Sequence, residues 1–219
     1  MIFVNFKTYE AGTGSNALKL IQILEKVSTE TSIKIIPVLQ TDDLLEASQM
    51  TKLEVWTQHV DPVEFGAHTG SVLPEAVKED GADGTFLNHS EKKYEDFKLL
   101  NKANLRAKEV GLKTLIFAGN MKELGKVIEL KPDFVSYEPP ELVGSETTSV
   151  AKEKPEIIQK AVDLSKVAGI PLIVGAGIKS EKDISKSLEL CSTGFAVASG
   201  IVSSEDPEES VRELINGYR

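Results

Sequence analysis

Short apolar runs and longer helical patterns alternate from one end of this chain to the other, and no other feature narrows its folding as much. The strand-like runs are Ile2–Phe6, Ile33–Val38, Leu53–Thr57, Gly84–Leu87, Lys113–Ala118, Asp133–Tyr137, Pro171–Val174 and Gly194–Val197. They are short, rich in Val, Ile and Phe, and nearly continuous in apolar character, as parallel strands buried on both faces must be. Between them lie helical patterns. Ala17–Val27 puts Leu18, Ile21, Leu24 and Val27 on one face, and Pro155 opens another helix at a first-turn position. Asp42–Thr51, Pro74–Asp80, Tyr94–Val110, Met121–Glu129, Glu181–Leu190 and Pro207–Tyr218 continue the series, with Gly111 and Gly169 placed as helix stops.

Eight strands and eight helices at about 27 residues per unit predict a compact (β/α)8 TIM barrel. Residues 1–219 form a single domain on this reading, without linker or low-complexity stretch. An open doubly wound sheet competes, but it more naturally stops at five or six strands.

Charge and cysteine content restrict the partners. Asp and Glu number 34 against 25 Lys and Arg, a net charge of -9, which repels nucleic-acid backbones. A small anion remains possible, because backbone N–H groups and one lysine can hold a phosphate locally. The single cysteine, Cys191, excludes an internal disulfide and is expected to serve in packing; it fits a reducing compartment, with the cytoplasm the expected location. No run of eighteen apolar residues marks a membrane span, and MIFVNFK lacks the layout of a signal peptide.

In a barrel, chemistry belongs at the C-terminal strand ends. Asn5-Phe6-Lys7 follows the first strand, and Lys7 is either an anion clamp in the mouth or a snorkelling surface lysine. His89, in Asn88-His89-Ser90-Glu91, could be an acid, an electrophile or a ligand, or simply a histidine satisfied by a cap. Glu138 after the sixth strand is a candidate general base or a surface carboxylate. The stiff Pro139-Pro140 and the polar run to Lys154 after it describe a lid. Gly175-Ala176-Gly177-Ile178 and Ala198-Ser199-Gly200 end the last two strands, where barrels often grip phosphate.

Other chemistries lack their signatures. The Gly-x-Gly pair meets Ser180 where a dinucleotide fingerprint wants a third small residue, and there is no P-loop. His59, His68, His89 and Cys191 show no close metal-ligand spacing, and no nucleophile elbow is present.

Taken together and in order, Asn-Phe-Lys, His-Ser-Glu, Tyr-Glu-Pro-Pro-Glu-Leu-Val-Gly, Gly-Ala-Gly-Ile and Ala-Ser-Gly resemble the triosephosphate isomerase family. Gln58-His59-Val60-Asp61 and the short chain look most like its archaeal branch. The resemblance implies interconversion of dihydroxyacetone phosphate and D-glyceraldehyde 3-phosphate through an enediolate, in glycolysis and gluconeogenesis, without a metal or organic cofactor. It assigns Glu138 the catalytic base, His89 the neutral imidazole that polarises the carbonyl, and Lys7 and Asn5 the substrate contacts, with Lys7 also catalytic through a charge that offsets the phosphate and the developing enediolate. Gly177, Ala198, Ser199 and Gly200 match the phosphate cradle, and Val143 and Gly144 the closing lid. Thr69 and Gly70 match the segment that reaches into a neighbouring subunit, which implies a homodimer or homotetramer.

The lid departs from the family's Ile-Gly-Thr-Gly by reading Val143-Gly144-Ser145-Glu146, which predicts weaker phosphate affinity or a re-routed tip. Lys92 stands where arginine is common, and His59 and His68, where relatives carry Asn and Tyr, are expected to be structural. The rival readings are another phosphate-binding barrel enzyme and a catalytically impaired barrel that binds phosphometabolites.

Overall fold

The computed structural model describes residues 1–138, 155–175, 180–190 and 192–218. Eight strands pair in chain order and close into a barrel: β1 (Ile2–Asn5), β2 (Ile35–Leu39), β3 (Trp56–Thr57), β4 (Gly84–Leu87), β5 (Lys113–Ala118), β6 (Phe134–Tyr137), β7 (Leu172–Val174) and β8 (Gly194–Val197). Every pairing is parallel, and β8 returns to β1 with Ile2 opposite Phe195. The helices between them are α1 (Ser15–Thr31), α2 (Leu44–Met50), α3 (Pro74–Glu79), α4 (Phe97–Glu109), α5 (Met121–Glu129), α6 (Pro155–Val167), α7 (Glu181–Glu189) and α8 (Pro207–Asn216), with a short helical turn at Ser199–Val202 before the last.

The period of two in each strand divides the core. Phe3, Ile36, Val38, Trp56, Phe86, Leu115, Phe117, Ile173 and Ala196 fill the barrel interior, while their neighbours Ile2, Val4, Ile35, Leu39, Leu87 and Ile116 meet the helices. Aromatic rings dominate the interior: Phe3 meets Trp56 edge-on at 5.0 Å, and Phe86 meets Phe117 at 4.8 Å. Trp56 dictates its neighbour, since a Cβ on Gly84 would lie 2.4 Å from the indole ring.

Differences from the expected boundaries have local causes. The third strand shrinks to two residues because the Val55 N–H donates to the Asp83 carboxylate (3.2 Å) rather than to a neighbouring strand. The helix expected from Tyr94 begins at Phe97, because the Asp96 carboxylate accepts the N–H groups of Lys98 and Leu99, both at 2.8 Å, and caps it there. Tyr94 instead sends its hydroxyl to the Val60 carbonyl and stacks beside His59.

Candidate active site

Three strand ends deliver the polar residues of the mouth. Asn5 closes β1 with its side chain buried, and its Oδ1 accepts the Lys7 N–H at 3.0 Å. That bond, with a second from Gln58 Nε2 to the Lys7 carbonyl (2.9 Å), holds Lys7 at a left-handed φ of 47°. A non-glycine residue persists there only when its surroundings over-determine it, and such strain gathers at functional sites. The Lys7 ammonium reaches across to Glu91, 2.7 Å away, in the turn after β4.

That turn begins with Asn88, also left-handed at φ 59°, and points His89 inward. The imidazole is buried, lies edge-on to Phe117 at 4.9 Å, and accepts the Glu91 N–H on Nδ1 at 3.2 Å. With Nδ1 occupied as an acceptor, the proton of the neutral ring sits on Nε2, which faces the mouth. Burial favours the uncharged ring and pulls its pKa down to about 4; the Glu91 charge opposes this and the Lys7 charge adds to it.

Glu138 follows β6, its N–H donating to the Ala118 carbonyl at 2.9 Å. The residue is 6% exposed, and desolvation lifts the pKa to about 7 against the opposing pull of the Lys7 ammonium and a hydrogen bond from Ser90 Oγ (3.3 Å). His89 Nε2 stands 3.5 Å from Glu138 Oε2. A carboxylate titrating near neutrality beside a neutral imidazole and a fixed ammonium can take a proton from carbon while the resulting oxyanion is stabilised. Asn5, Lys7, Gln58, Phe86, His89 and Glu91 line the adjoining cavity, 420 Å³ in volume.

The rim is described in part. Ala198 precedes the turn Ser199–Val202, in which the N–H groups of Ile201 and Val202 both return to the Ala198 carbonyl. The N–H groups of Ser199 and Gly200 are left at the turn's exposed start, without intrahelical partners. Gly177 and the lid residues Val143, Gly144, Ser145 and Glu146 lie outside the described residues, as does Cys191. Thr69 and Gly70 stand exposed in the loop between β3 and α3, apart from the converged set. The base of that loop is closed by paired bonds between Asp61 and Val72 (2.9 and 2.7 Å). His59, expected to be structural, packs on Tyr94 with its Nε2 3.1 Å from Asp61, whereas His68 is exposed.

Sequence reading named Asn5, Lys7, His89 and Glu138, and the fold brings them together. It passed over Ser90 and Glu91, which stand in the same short motif as His89, and Gln58, from the Gln58-His59-Val60-Asp61 run; all three touch those residues. It also missed why position 175 is glycine: a Cβ there would meet Ser136 Oγ at 2.8 Å and Glu138 Oε1 at 3.2 Å. Among the described residues no group of His, Cys, Asp and Glu could hold a metal ion, and no helix is long and apolar enough to cross a membrane.

The family model for triosephosphate isomerase matches residues 1–217. The triosephosphate isomerase of Methanothermus fervidus is 40% identical over 219 residues, covering 98% of this chain and 97% of that one. That of Saccharolobus solfataricus is also 40% identical, covering 98% and 94%. The Methanocaldococcus jannaschii protein of the same name is 36% identical, covering 98% of each.

Proposed function

The chain belongs to the triosephosphate isomerase family and is an aldose–ketose isomerase interconverting dihydroxyacetone phosphate and D-glyceraldehyde 3-phosphate; we propose that it does so with Glu138 as base and His89 as acid. The observation that carries these roles is the convergence of the two side chains, 3.5 Å apart and both buried, from different strand ends.

The bound ketose presents C1 to the Glu138 carboxylate, which removes a proton. The electrons move onto the carbonyl oxygen, making an enediolate. The Nε2–H of His89 donates to that oxygen as its charge grows and passes its proton to it; Nε2 then takes the proton of the C1 hydroxyl, and as the proton held on Glu138 returns to C2 the C1 oxygen becomes the aldehyde carbonyl. A neutral donor matches the enediolate better than an imidazolium would, and the burial that lowers the His89 pKa supplies one. Lys7 adds a positive charge to the mouth, its backbone fixed by Asn5 and Gln58 and its ammonium paired with Glu91. All of this proceeds through side chains and backbone alone, without a cofactor.

The N–H groups of Ser199 and Gly200 after Ala198, together with Gly177, cradle the phosphate, and Val143 and Gly144 close over it. Residues 1–219 act as a single domain in the cytoplasm, which the lone cysteine fits, within glycolysis and gluconeogenesis. Assembly is a homodimer or homotetramer in which Thr69 and Gly70 reach the neighbouring site. A coupled assay with glyceraldehyde 3-phosphate tests the activity. Turnover is expected, while binding of 2-phosphoglycolate without turnover would leave only a phosphometabolite-binding barrel.

A further inference from the structure

We propose that Glu123, on α5 and outside the catalytic mouth, is the positioning residue for the turn that carries His89, an inference that rests on the role of His89 given above. Three residues from two segments meet on its carboxylate. Oε1 accepts from Asn88 Nδ2 at 2.9 Å, Oε2 accepts the Gly119 N–H at 2.8 Å, and the Lys93 ammonium bridges both oxygens at 3.0 and 3.1 Å.

Asn88 and Lys93 are the two ends of one turn. Between them lie His89 and Ser90, both directed at Glu138, and Glu91, paired with Lys7. Within the turn the Lys92 N–H donates to the His89 carbonyl at 2.8 Å, so the loop is tight but closed on itself. What fixes it to the barrel is the Asn88 amide, whose two hydrogens go to the Phe117 carbonyl (3.0 Å) and to Glu123. Asn88 is left-handed and buried, so its backbone has no cheap alternative that keeps His89 aimed across the mouth.

Glu123 is itself fixed. It stands in the first turn of α5, where Asn120 caps the helix and a carboxylate is favoured by the helix dipole. Partial burial pushes its pKa up, but the bonds from Gly119, Lys93 and Asn88 together outweigh that and hold the carboxylate ionised, with the pKa below the usual range. Removing it strands one hydrogen of Asn88 and the Gly119 N–H and frees Lys93. No atom of Glu123 need touch substrate for the effect to be felt, because reacting groups displaced by about 1 Å can lose on the order of 10²-fold in rate.

The test uses the full chain with glyceraldehyde 3-phosphate, counting sites by titration with 2-phosphoglycolate. Glu123→Ala is expected to lower kcat per bound site roughly 10- to 100-fold with KM changed less than about threefold. Glu123→Gln, which keeps one acceptor and the side-chain shape, should recover part of the loss. The ¹⁵N resonance of the His89 Nε2–H should move in both. His89→Gln is measured in parallel: if it keeps full kcat, the reading of the site fails; if it loses kcat while both Glu123 variants match the parent, only the positioning role fails. Should Glu123→Ala not fold, Glu123→Gln and Lys93→Met decide. Parental kcat and an unmoved imidazole resonance in both would overturn the role.

Discussion

The imidazole of His89 and the carboxylate of Glu138 face each other across 3.5 Å, one held neutral and the other lifted to titrate near neutrality, both by burial. Opposite chemical tasks follow from the same desolvation, because loss of water disfavours whichever form is charged: the imidazolium in one case and the carboxylate in the other.

Shortening the base should expose how tightly that separation is set. Glu138→Asp withdraws the carboxylate by one methylene while keeping its charge. The expected loss in kcat is about 10²-fold or more, the scale for a misplaced reacting group. Steady-state kinetics decides, and turnover equal to the parent's removes Glu138 from the chemistry.

His89→Gln keeps a hydrogen-bond donor but loses the imidazole. Its contact with substrate oxygen strengthens as charge develops, so kcat should fall further than affinity for 2-phosphoglycolate. In the parent, ¹⁵N spectra should show a neutral ring with the proton on Nε2 from pH 8 down to about 5, since the Nδ1 is already taken by the Glu91 N–H. An imidazolium in that range contradicts the tautomer deduced from the geometry.

Most of the fold was legible because strands buried on both faces are nearly all apolar, and helices between them show one apolar stripe. Element ends were less so. Val55 leaves the ladder for Asp83, and Asp96 sets the start of α4, both through side chains that a hydrophobic pattern does not register. The same limit applies at the mouth. Asn5, Lys7, His89 and Glu138 stand at strand ends, where polar residues are conspicuous against an apolar barrel. The contacts that aim them join residues far apart in the chain, Ser90 to Glu138 and Asn88 to Glu123, and no local spacing marks those pairs.

The raised Glu138 pKa has consequences for both activity and stability. Carbon-13 titration of the free enzyme should show its carboxyl group ionising near 7, and Lys7→Met should move the midpoint upward, because the ammonium lowers it in the parent. For stability, a carboxyl whose folded pKa exceeds its ordinary value of 4.5 contributes most below pH 4.5. That contribution fades as pH rises through about 7. His89 acts in the other direction: kept neutral, it contributes above about 6.5 and loses that contribution as pH falls toward 4. Denaturant midpoints across this range should therefore rise with pH between 4 and 6.5 in the parent relative to His89→Gln.

Phe65 is 77% exposed in the same loop as Thr69 and Gly70, where the proposed subunit contact would cover it. Phe65→Asp should shift the sedimentation coefficient toward a single chain and reduce activity as protein concentration falls. A parent that sediments as a monomer at all concentrations would remove the proposed subunit contact.

Gly175→Ala tests whether the base is placed by packing as well as by hydrogen bonds. The added methyl would stand 2.8 Å from Ser136 Oγ and 3.2 Å from Glu138 Oε1, both tighter than ordinary contact. The backbone of Ser136 is held in β6 between β5 and β7, so relief on that side is limited to a turn of its buried hydroxyl, which has no hydrogen-bond partner among the described residues. Glu138, one residue past the strand, is the softer neighbour and should be pushed off its line to the substrate. The expected result is a fall in kcat on the order of tenfold to a hundredfold, with a stability change of only about 1–3 kcal/mol, the usual cost of overpacking. Binding of 2-phosphoglycolate should weaken less than kcat falls. If kcat holds while the denaturation midpoint drops, glycine at 175 serves packing alone and Glu138 keeps its aim without it.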